Sequence, residues 1–436
     1  MDFSEANQYL LSLGNEVETM KLGLENISTL LVGLVKPAIN IPKVQVAGTN
    51  GKGSVCAFLD SICGQAGIRR GLYTSPHLVS ITERIKIDGV DIGEDEFAGV
   101  ASFVRETAEW LVERGELDNV PTFFEQMTAI ALVAFANHGL ELLILETGLG
   151  GRYDAVTAAK AEIAAITRID LDHQEYLGDT IEGIAAEKAA IITGETQYVV
   201  LGEQSRDVMR MLRKHCKDLG IEPLNDEHTP WRILPNDDGT VNVELSLCQF
   251  EPIKLGLRGR HQAENAQTAI QIAKALLYQG LFLNTENGEE EVCIVEGLEK
   301  ARHPGRLEYI DNFLLDGAHN PGGAKALRQY LNDSERRPIT FIFGAMRDKS
   351  VAEIAEILWP RAEKIILTRP SNSRAMNADE LAGCSPASVE VDRLIETDTV
   401  AEAIERAKEM KPADGLIVVT GSLYLVGEVK KILETA

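Results

Sequence analysis

Short runs of apolar residues alternate with amphipathic segments along most of the chain, which is the pattern of an α/β protein built on mostly parallel sheets. Near-continuous apolar runs predict buried strands at 44–48, 70–75, 140–148 and 161–169. Apolar positions at helical spacing predict helices at 54–65, 94–113, 122–137 and 261–277, and one that begins near Thr180. Because the run 140–148 is apolar until Glu146, we expect a central strand with a carboxylate at its C-terminal end.

Two segments have a different pattern. Alternating positions around Asp88-Gly89 predict a β-hairpin within 81–92, because this dipeptide favours a tight turn. Residues 231–259 alternate between apolar and polar with frequent turn residues, and they predict antiparallel hairpins beside the main sheet. The first part of the chain is therefore expected to combine a mostly parallel sheet with a small antiparallel β portion.

The alternation of strands and helices starts again after Arg302. Strands are predicted at 313–319, 339–346, 364–370 and 415–422, with helices at 323–331, 351–358, 399–410 and near the C-terminus. Pro304 and Gly305 interrupt regular structure, so residues 301–308 are predicted to be a linker. We therefore predict two domains, residues 1–302 and a smaller Rossmann-like α/β domain at residues 303–436.

Composition and charge exclude several classes of function. The 436 residues are 44% hydrophobic and 25% charged, which is ordinary for a soluble globular protein. With 43 Lys and Arg against 67 Asp and Glu, the formal net charge is −24, which disfavours nonspecific binding to nucleic acids or anionic membranes. The six cysteines have neither CxxC nor zinc spacing. We expect a cytoplasmic protein with reduced thiols and with neither a secretory leader nor a membrane span.

The segment GTNGKGS (48–54) carries the first chemical signal. Glycines between a strand and a helix let backbone N–H groups turn toward a phosphate, and a lysine such as Lys52 reaches the β- and γ-phosphates. Val46 and Gly53 depart from the usual G-x-x-x-x-G-K-[ST] pattern. The alternative is a glycine-rich turn without a ligand, but the flanking strand and helix favour a P-loop ATPase-like domain that binds ATP or GTP.

Six motifs together are far more specific than any one of them. In chain order they are GTNGKGS (48–54), GLYTSPHLVSITERIKIDG (71–89), ETGLGGRYDA (146–155), DHQEYLG (172–178), EKAAII (187–192) and DGAHNP (316–321). From about Lys21 to Gly427 the chain resembles the folylpolyglutamate synthase/dihydrofolate synthase family, the folate branch of the muramyl-ligase superfamily. The resemblance implies ATP-dependent amide-bond formation, in which a carboxylate takes the γ-phosphate and the amine of glutamate then displaces phosphate from the acyl phosphate.

The resemblance also implies a metal site. Ser75, Glu146 and His173 match magnesium ligands, and Lys188 matches a lysine that is carbamylated and serves a second metal. Ser75 and Glu146 end predicted strands, at the edge where open α/β sheets place ligands. From the residues alone, the alternatives are an exposed strand-end carboxylate for Glu146, a surface position for His173 and a solvated helix face for Lys188.

The remaining site residues also follow from the resemblance. Nucleotide binding is expected at Gly48, Thr49, Asn50, Gly51, Lys52, Gly53, Ser54, Asn265, Arg306 and Asp316. Catalytic roles are expected for Lys52, His173, Lys188 and Arg306. Pteroate is expected at Leu22, Gly23, Thr122, Phe123, Phe124, Glu125, Tyr153, Asp154 and Ala155, and glutamate at Arg84, His319 and Ser422. For the two phenylalanines the alternative is core packing, since aromatic residues at helical spacing are more often buried.

The resemblance implies an ATP- and Mg²⁺-dependent ligase whose partners are small molecules, and we expect a monomer. It leaves open whether dihydropteroate, reduced folate polyglutamates or both are substrates. The rival activities are a muramyl-type ligase acting on a UDP-sugar peptide and a non-catalytic ATP-binding relative. TSPHL and ETGLGGRYDA are folate-branch motifs, and Lys52, Glu146, His173 and Lys188 are all present, which disfavours both rivals. Because site residues lie on both sides of residues 301–308, we expect the two domains to close on ATP.

Overall fold

The computed structural model describes residues 1–14, 23–224, 231–245, 252–281 and 289–435. The chain forms two compact units that are each discontinuous in sequence. The N-terminal unit contains Met1–Ile169, Glu182–Asp226 and Gln267–Gly297, and the C-terminal unit contains Asp170–Ile181, Glu227–Ala266 and Leu298–Ala436. The division of the chain into domains at residue 302 stays a prediction. None of the described helices is both long and apolar enough to cross a membrane.

A seven-stranded sheet forms the centre of the N-terminal unit. Its strands are β1 (Lys43–Ala47), β2 (Arg70–Tyr73), β3 (Ile85–Ile87), β4 (Val90–Asp91), β5 (Leu142–Glu146), β6 (Ile163–Ile166) and β7 (Tyr198–Leu201). They lie in the order β4-β3-β2-β5-β1-β6-β7, and β3 alone runs antiparallel to its neighbours β2 and β4. The hairpin predicted at Asp88-Gly89 is confirmed, although residues 81–84 form a 3₁₀ turn instead of a strand.

Nine helices are described before residue 282. They are α1 (Phe3–Ser12), α2 (Glu25–Gly33), α3 (Lys52–Gln65), α4 (Glu94–Glu113), α5 (Phe123–Ala136), α6 (Gln174–Leu177), α7 (Ile181–Ala189), α8 (Arg206–Asp218) and α9 (His261–Tyr278). The helices predicted at 54–65, 94–113, 122–137 and 261–277 are confirmed. Helix α5 is buried on nearly every side and packs with α1, α2 and α4 in one apolar core.

The register of the parallel strands brings several loops to one edge of this sheet. Val46 of β1 lies beside Glu146 of β5, and Ala47 lies beside Ile166 of β6. Tyr73 of β2 pairs with Leu145. The loops that follow β1, β2, β5 and β6 therefore begin at the same C-terminal edge, where open α/β sheets bind their ligands.

The segment predicted to form antiparallel hairpins does so, but in a sheet of its own within the C-terminal unit. Strands β8 (Trp231–Pro235), β9 (Val241–Leu245) and β10 (Ile253–Lys254) pair in the order β10-β9-β8. Residues 246–251 of the predicted segment lie outside the described part of the chain.

A six-stranded sheet completes the C-terminal unit. Its strands are β11 (Glu308–Ile310), β12 (Phe313–Leu315), β13 (Ile339–Phe343), β14 (Lys364–Leu367), β15 (Leu394–Glu396) and β16 (Leu416–Thr420), in the order β11-β12-β16-β13-β14-β15. The helices after residue 288 are α10 (Glu289–Lys300), α11 (Pro321–Ser334), α12 (Val351–Leu358), α13 (Ala378–Ala382), α14 (Val400–Met410) and α15 (Leu423–Thr435). The four predicted strands are confirmed. Strands β11 and β15 were not predicted, because they have three residues each and carry little periodic signal.

Candidate active site

The glycine-rich loop after β1 is shaped by left-handed backbone at two glycines. Gly48 has φ of 148° and Gly51 has φ of 91°, conformations that residues with a Cβ rarely adopt. Gly51 caps the 14-residue helix α3, which begins at Lys52. The Lys52 Nζ donates to the carbonyls of Gly48 at 3.1 Å and Thr49 at 3.3 Å. A helix N-terminus with an ammonium group beside it is a favourable place for a phosphate.

A second lysine reaches the same loop from far along the chain. The Lys188 side chain on α7 is only 5% exposed, and its Nζ donates to the Gly48 carbonyl at 3.0 Å. Lys52 and Lys188 therefore share one acceptor. The alternative in which Lys188 lies on a solvated helix face is wrong, because its side chain is buried.

Glu146 and Ser75 are brought together at the neighbouring strand ends. Glu146 is 5% exposed, and its Oε2 accepts a hydrogen bond from the Ser75 backbone N–H at 3.2 Å. The alternative of an exposed carboxylate at this position is therefore wrong. Ser54, in the first turn of α3, is also 5% exposed.

The oxygen atoms of Glu146 and Ser75 fit a magnesium ion that is also bound by substrate and water. In the described part of the chain, no three His, Cys, Asp or Glu side chains are grouped so that they could hold a metal ion. A buried carboxylate with hydroxyl oxygens suits Mg²⁺, which is usually held by one or two carboxylates plus substrate phosphates and water. Glu146 and Ser75 would hold the ion, with the remaining positions left to the nucleotide and solvent.

His173 belongs to the C-terminal unit, where it joins a charged cluster around Asp172. Lys349 Nζ donates to Asp172 Oδ1 at 2.8 Å and lies 3.0 Å from His173 Nε2. Asn320 Nδ2 donates to Asp172 Oδ2 at 2.9 Å, and His319 Nε2 lies 3.8 Å from the same oxygen. The structure thus brings the predicted residues His173 and His319 together in this unit.

Electrostatics set the protonation states in the Asp172 cluster. Burial opposes ionisation of Asp172, but Lys349 and the two imidazoles outweigh it and lower the pKa of the carboxyl group. Burial lowers the pKa of His173 to about 3 and that of His319 to about 4, and Lys349 adds to both shifts. Both imidazoles are therefore neutral at pH 7, and the acceptor nitrogen of His173 faces Lys349.

Three members of this cluster had no predicted role: Asp172 and Asn320, which lie within the DHQEYLG and DGAHNP motifs, and Lys349. A signal for Lys349 was present, because the charged residues 347–349 follow the apolar run 339–346, whose first part forms β13. Charged residues just after a buried parallel strand lie at the edge of the sheet where ligands bind.

Arg306 and Asp316 lie close together at the end of the β11–β12 pair where Glu308 pairs with Leu315. The Asp316 carboxylate is 8% exposed and accepts hydrogen bonds from the N–H groups of Leu307 and Ala318, both at 3.1 Å. Burial raises the pKa of Asp316, although Arg306 and these two N–H groups oppose the shift. A Cβ on Gly317 would lie 2.9 Å from Arg306 Nη1, so the glycine leaves room for the guanidinium group.

Asn265 and its neighbour His261 lie in the first turns of α9. Asn265 Nδ2 donates to Gln262 Oε1 at 2.9 Å, and both side chains are buried. Burial lowers the pKa of His261 to about 4, and the positive charge of Arg306 adds to the shift. The nucleotide contacts expected for Asn265, Arg306 and Asp316 stay predictions.

The residues predicted to bind pteroate on α5 have structural partners of their own. Thr122 and Glu125 form a capping box, in which Thr122 N–H donates to Glu125 Oε2 at 2.8 Å. Phe123 is 3% exposed and lies beneath Arg84, whose guanidinium carbon is 5.3 Å from the ring centroid. Phe124 is half-buried, packs 6.3 Å from the Tyr73 ring and fills the space beside Gly148.

The other predicted substrate residues differ in exposure. Asp154 is buried, and its oxygens accept from Leu149 N at 2.9 Å and Val156 N at 3.0 Å. Burial raises the pKa of Asp154 to about 6 against these hydrogen bonds.

Tyr153 is 41% exposed, whereas Ala155 and Ser422 are buried, and the Ser422 hydroxyl accepts from Leu425 N at 3.1 Å. Arg84 Nε donates to His77 Nδ1 at 2.8 Å. Gly23 has φ of 151°, and Leu22 lies outside the described residues. The contacts of these residues with substrate stay predictions.

Replacing Thr122 with alanine should lower the free energy of unfolding by about 1 kcal/mol, the usual effect of losing a helix N-cap. The reason is that the Thr122 hydroxyl accepts from Glu125 N–H in the first turn of α5, while the Glu125 carboxylate accepts from Thr122 N–H. Urea unfolding would measure the change. Thr122→Ser keeps the cap and serves as the control. Equal stability of the alanine and serine variants would contradict the capping role.

Comparison with known proteins places the chain in the Mur ligase family. Residues 46–273 match the family model described as Mur ligase middle domain, and residues 305–423 match the Mur ligase glutamate ligase domain. A dihydrofolate synthase/folylpolyglutamate synthase of Bacillus subtilis is 32% identical, with 95% of this chain and 96% of that protein covered.

A solved Yersinia pestis structure gives the same result for the fold. This bifunctional folylpolyglutamate synthase/dihydrofolate synthase, complexed with AMPPNP and Mn ion, has a TM-score of 0.81 at 27% identity, covering 100% of this chain and 98% of that one. A probable bifunctional folylpolyglutamate synthase/dihydropteroate synthase of Halobacterium salinarum is 32% identical over 99% of this chain. The chain spans about half the length of that relative and of a similar one from Haloferax volcanii.

Proposed function

Because the chain belongs to the folylpolyglutamate synthase/dihydrofolate synthase family of Mur ligases, we propose that it is an ATP-dependent ligase that adds L-glutamate to dihydropteroate, to reduced folate polyglutamates, or to both. One observation carries most of the weight. Lys52 and Lys188 meet at the Gly48 carbonyl, beside the strand end that carries Glu146. This arrangement suits a nucleoside triphosphate whose terminal phosphate is transferred.

The chemistry requires a carboxylate of the pteroate or folate substrate to attack the γ-phosphorus of ATP in line with the departing ADP. The amine of glutamate then attacks the carbonyl carbon of the acyl phosphate, which forms the amide bond and releases inorganic phosphate and a proton. Lys52 and the N-terminus of α3 would bind and orient the phosphates, and Arg306 would stabilise the charge that develops on the transferred group. Mg²⁺, when held by Glu146 and Ser75, would neutralise phosphate charge.

His173 is assigned to the same reaction on chemical grounds. Its imidazole is neutral, and its Nε2 accepts a hydrogen bond from Lys349 in the Asp172 cluster. A neutral imidazole is the form that contacts a metal, whereas a pKa of about 3 makes His173 a poor acceptor for a proton. His319, in the same cluster, is assigned to the glutamate side together with Arg84 and Ser422.

We also assign a carbamate to Lys188. The unprotonated ε-amine would add to CO₂, forming an N–C bond and releasing one proton to solvent. The product keeps one N–H, which suffices to donate to the Gly48 carbonyl that Nζ already contacts at 3.0 Å. The new carboxylate would supply hard oxygen ligands beside the phosphate loop, where the protein otherwise offers few.

Replacing Lys188 with alanine should remove most of the activity, by about 10²-fold or more, as for other preorganised electrostatic groups. A short carboxylic acid such as acetate should restore part of it, because the acid can occupy the space of the carbamate. Turnover measured against acetate concentration tests this. Lys188→Arg is the control, since arginine fills the space and should not respond to acetate. An unmodified ε-amine in NMR spectra recorded with ¹³C-bicarbonate would contradict the carbamate.

The setting of the enzyme is part of the proposal. We propose a monomer that works in the cytoplasm, where ATP and Mg²⁺ are supplied. Support comes from thiols that are free among the described residues, and burial raises the pKa of Cys56 and Cys63. Such thiols suit a reducing compartment. The domain division at residue 302 and the closure of the domains on ATP belong to the same proposal.

The proposed activity can be separated from its rivals by measuring ADP release. The purified protein, given ATP and Mg²⁺, should release ADP only when glutamate is present together with an acceptor. The acceptor is either dihydropteroate or a reduced folate. Release that depends on a UDP-sugar peptide would identify a muramyl-type ligase. Nucleotide binding without turnover on any of these substrates would identify a non-catalytic relative.

A further inference from the structure

We propose that Thr167 and Gln204 are positioning residues that hold the phosphate loop in its nucleotide-binding shape. The inference rests on the proposed function only in taking the ligand of the loop to be ATP. Neither residue belongs to any motif that the sequence analysis singled out. Both lie in the N-terminal unit, as does the loop.

Thr167 contacts the loop directly. It follows strand β6, which pairs with β1, and its side chain is 2% exposed. Thr167 N–H donates to the Ala47 carbonyl at 2.8 Å, and its Oγ1 donates to the Asn50 carbonyl at 2.8 Å. Thr167 therefore donates hydrogen bonds to the loop on both sides of Gly48 and Thr49, at Ala47 and at Asn50.

The fit between Thr167 and Gly48 is also steric. A Cβ built on Gly48 would lie 1.9 Å from Thr167 Oγ1, closer than any real contact. The threonine hydroxyl thus fills the space that a side chain at position 48 would need. The absence of a Cβ at Gly48 lets the loop pass against Thr167, and this contact in turn fixes the path of the loop.

Arg168 adds two backbone hydrogen bonds. Its carbonyl accepts from Thr49 N at 2.9 Å and from Asn50 N at 3.2 Å. These two N–H groups point toward the β6 loop, whereas Lys52 and the first N–H groups of α3, which have no partner within the helix, are available to a phosphate. The segment 167–168 therefore decides how α3 presents its N-terminus.

Gln204 supports this segment from the other side. It follows β7, and its Nε2 donates to the Thr167 carbonyl at 2.8 Å while its Oε1 accepts from Ile169 N at 3.0 Å. The amide thus spans Arg168 and holds the residues before and after it. A continuous set of hydrogen bonds runs from Gln204 through Thr167 and Arg168 to the phosphate loop.

This arrangement makes a specific kinetic prediction. Both side chains donate to or accept from backbone groups, so each is proposed to act through the loop. Thr167→Val keeps the branched shape but removes the donor to Asn50, and it should weaken ADP binding and raise the KM for ATP by about 10-fold. The KM values for pteroate and glutamate should change little. If the two residues had a purely structural role, their replacement would lower the melting temperature but would not raise the KM for ATP more than the KM values for pteroate and glutamate.

Three variants and one control test the inference. ADP affinity is measured by titration calorimetry, KM for each substrate by steady-state kinetics, and melting temperature by calorimetry. Thr167→Ser keeps the hydroxyl and should restore nucleotide binding. Gln204→Ala changes a half-buried side chain, so it reports on the same network if Thr167→Val does not fold. Thr340→Val in β13 is the matched control, because the Thr340 hydroxyl is fully buried and has no hydrogen-bond partner among the described residues.

The inference is supported if Thr167→Val and Gln204→Ala bind ADP more weakly while Thr167→Ser and Thr340→Val resemble the wild type. It is overturned if Thr167→Val and Gln204→Ala bind ADP like the wild type, or if Thr167→Ser is as impaired as Thr167→Val. A wild-type protein that binds no ADP would instead overturn the proposed function, and with it the assignment of the loop. The two failures are therefore distinguishable.

Discussion

Replacing Lys52 with alanine should reduce the rate of ADP formation by about 10²-fold or more at saturating ATP, as expected when a preorganised cation is removed from a phosphoryl-transfer site. The Lys52 ammonium donates hydrogen bonds to the carbonyls of Gly48 and Thr49 in its own loop, and the side chain is only partly buried. Its loss therefore removes no core packing, and the free energy of unfolding should change by less than about 1 kcal/mol. Steady-state kinetics and urea unfolding measure the two effects.

Lys160→Ala is the control for this experiment. Lys160 is an exposed lysine of the same unit that pairs with Glu195 at 2.9 Å, and its loss should leave turnover unchanged. If Lys52→Ala keeps near wild-type turnover at saturating ATP, the glycine-rich loop is a strand–helix turn and the nucleotide binds elsewhere.

Replacing Arg306 with alanine should lower kcat by about 10²-fold or more while leaving pteroate affinity nearly unchanged, since the guanidinium group would act on charge that develops at the γ-phosphate. Arg306 lies beside the buried carboxylate of Asp316 and adds to the low pKa of His261. The positive charge of Arg306 therefore acts on Asp316, which is assigned to the nucleotide, and on His261. Steady-state kinetics and a separate pteroate-binding measurement give the two constants.

Arg302→Ala is the matched control, because Arg302 is exposed, lies four residues earlier and donates to the backbone carbonyl of Ala301. It should leave kcat unchanged. If Arg306→Ala weakens only pteroate binding, Arg306 belongs to the substrate pocket, and the proposal that catalysis requires closure of the domains is wrong.

The sequence was most informative where local pattern and chemistry coincide. The GTNGKGS segment predicts both a turn and a phosphate site, and the loop has the left-handed glycines and the lysine that such a site needs. Glu146 was predictable because a carboxylate ends an otherwise apolar run. Parallel pairing alone then places it beside Val46 of β1.

Contacts between distant residues could not be predicted in this way. Lys188 has a charged neighbour and an unremarkable helix around it, and its burial depends on a carbonyl 140 residues away in sequence. Thr167 and Gln204 act through hydrogen bonds to the backbone, which leave no spacing pattern in the sequence. Lys349 reaches Asp172 from 177 residues away.

Burial also separates side chains that look alike in sequence. Phe123 and Phe124 are consecutive aromatic residues at the start of α5, yet one lies under Arg84 and the other against Tyr73. Thr122 and Glu125 have the spacing of a capping box, which is a sufficient local reason for both residues. Their proposed contacts with pteroate therefore need a measurement of binding in addition to one of stability.

The central claim is that this chain forms an amide bond between a pteroate or folate carboxylate and glutamate at the expense of ATP. The most direct measurement supplies the purified protein with ATP, Mg²⁺ and labelled glutamate, and compares dihydropteroate with tetrahydrofolate as the acceptor. The account predicts label in a pteroyl or folyl product from at least one acceptor, with one ADP formed for each glutamate added. ADP formation without labelled product, or no turnover with either acceptor, would contradict it.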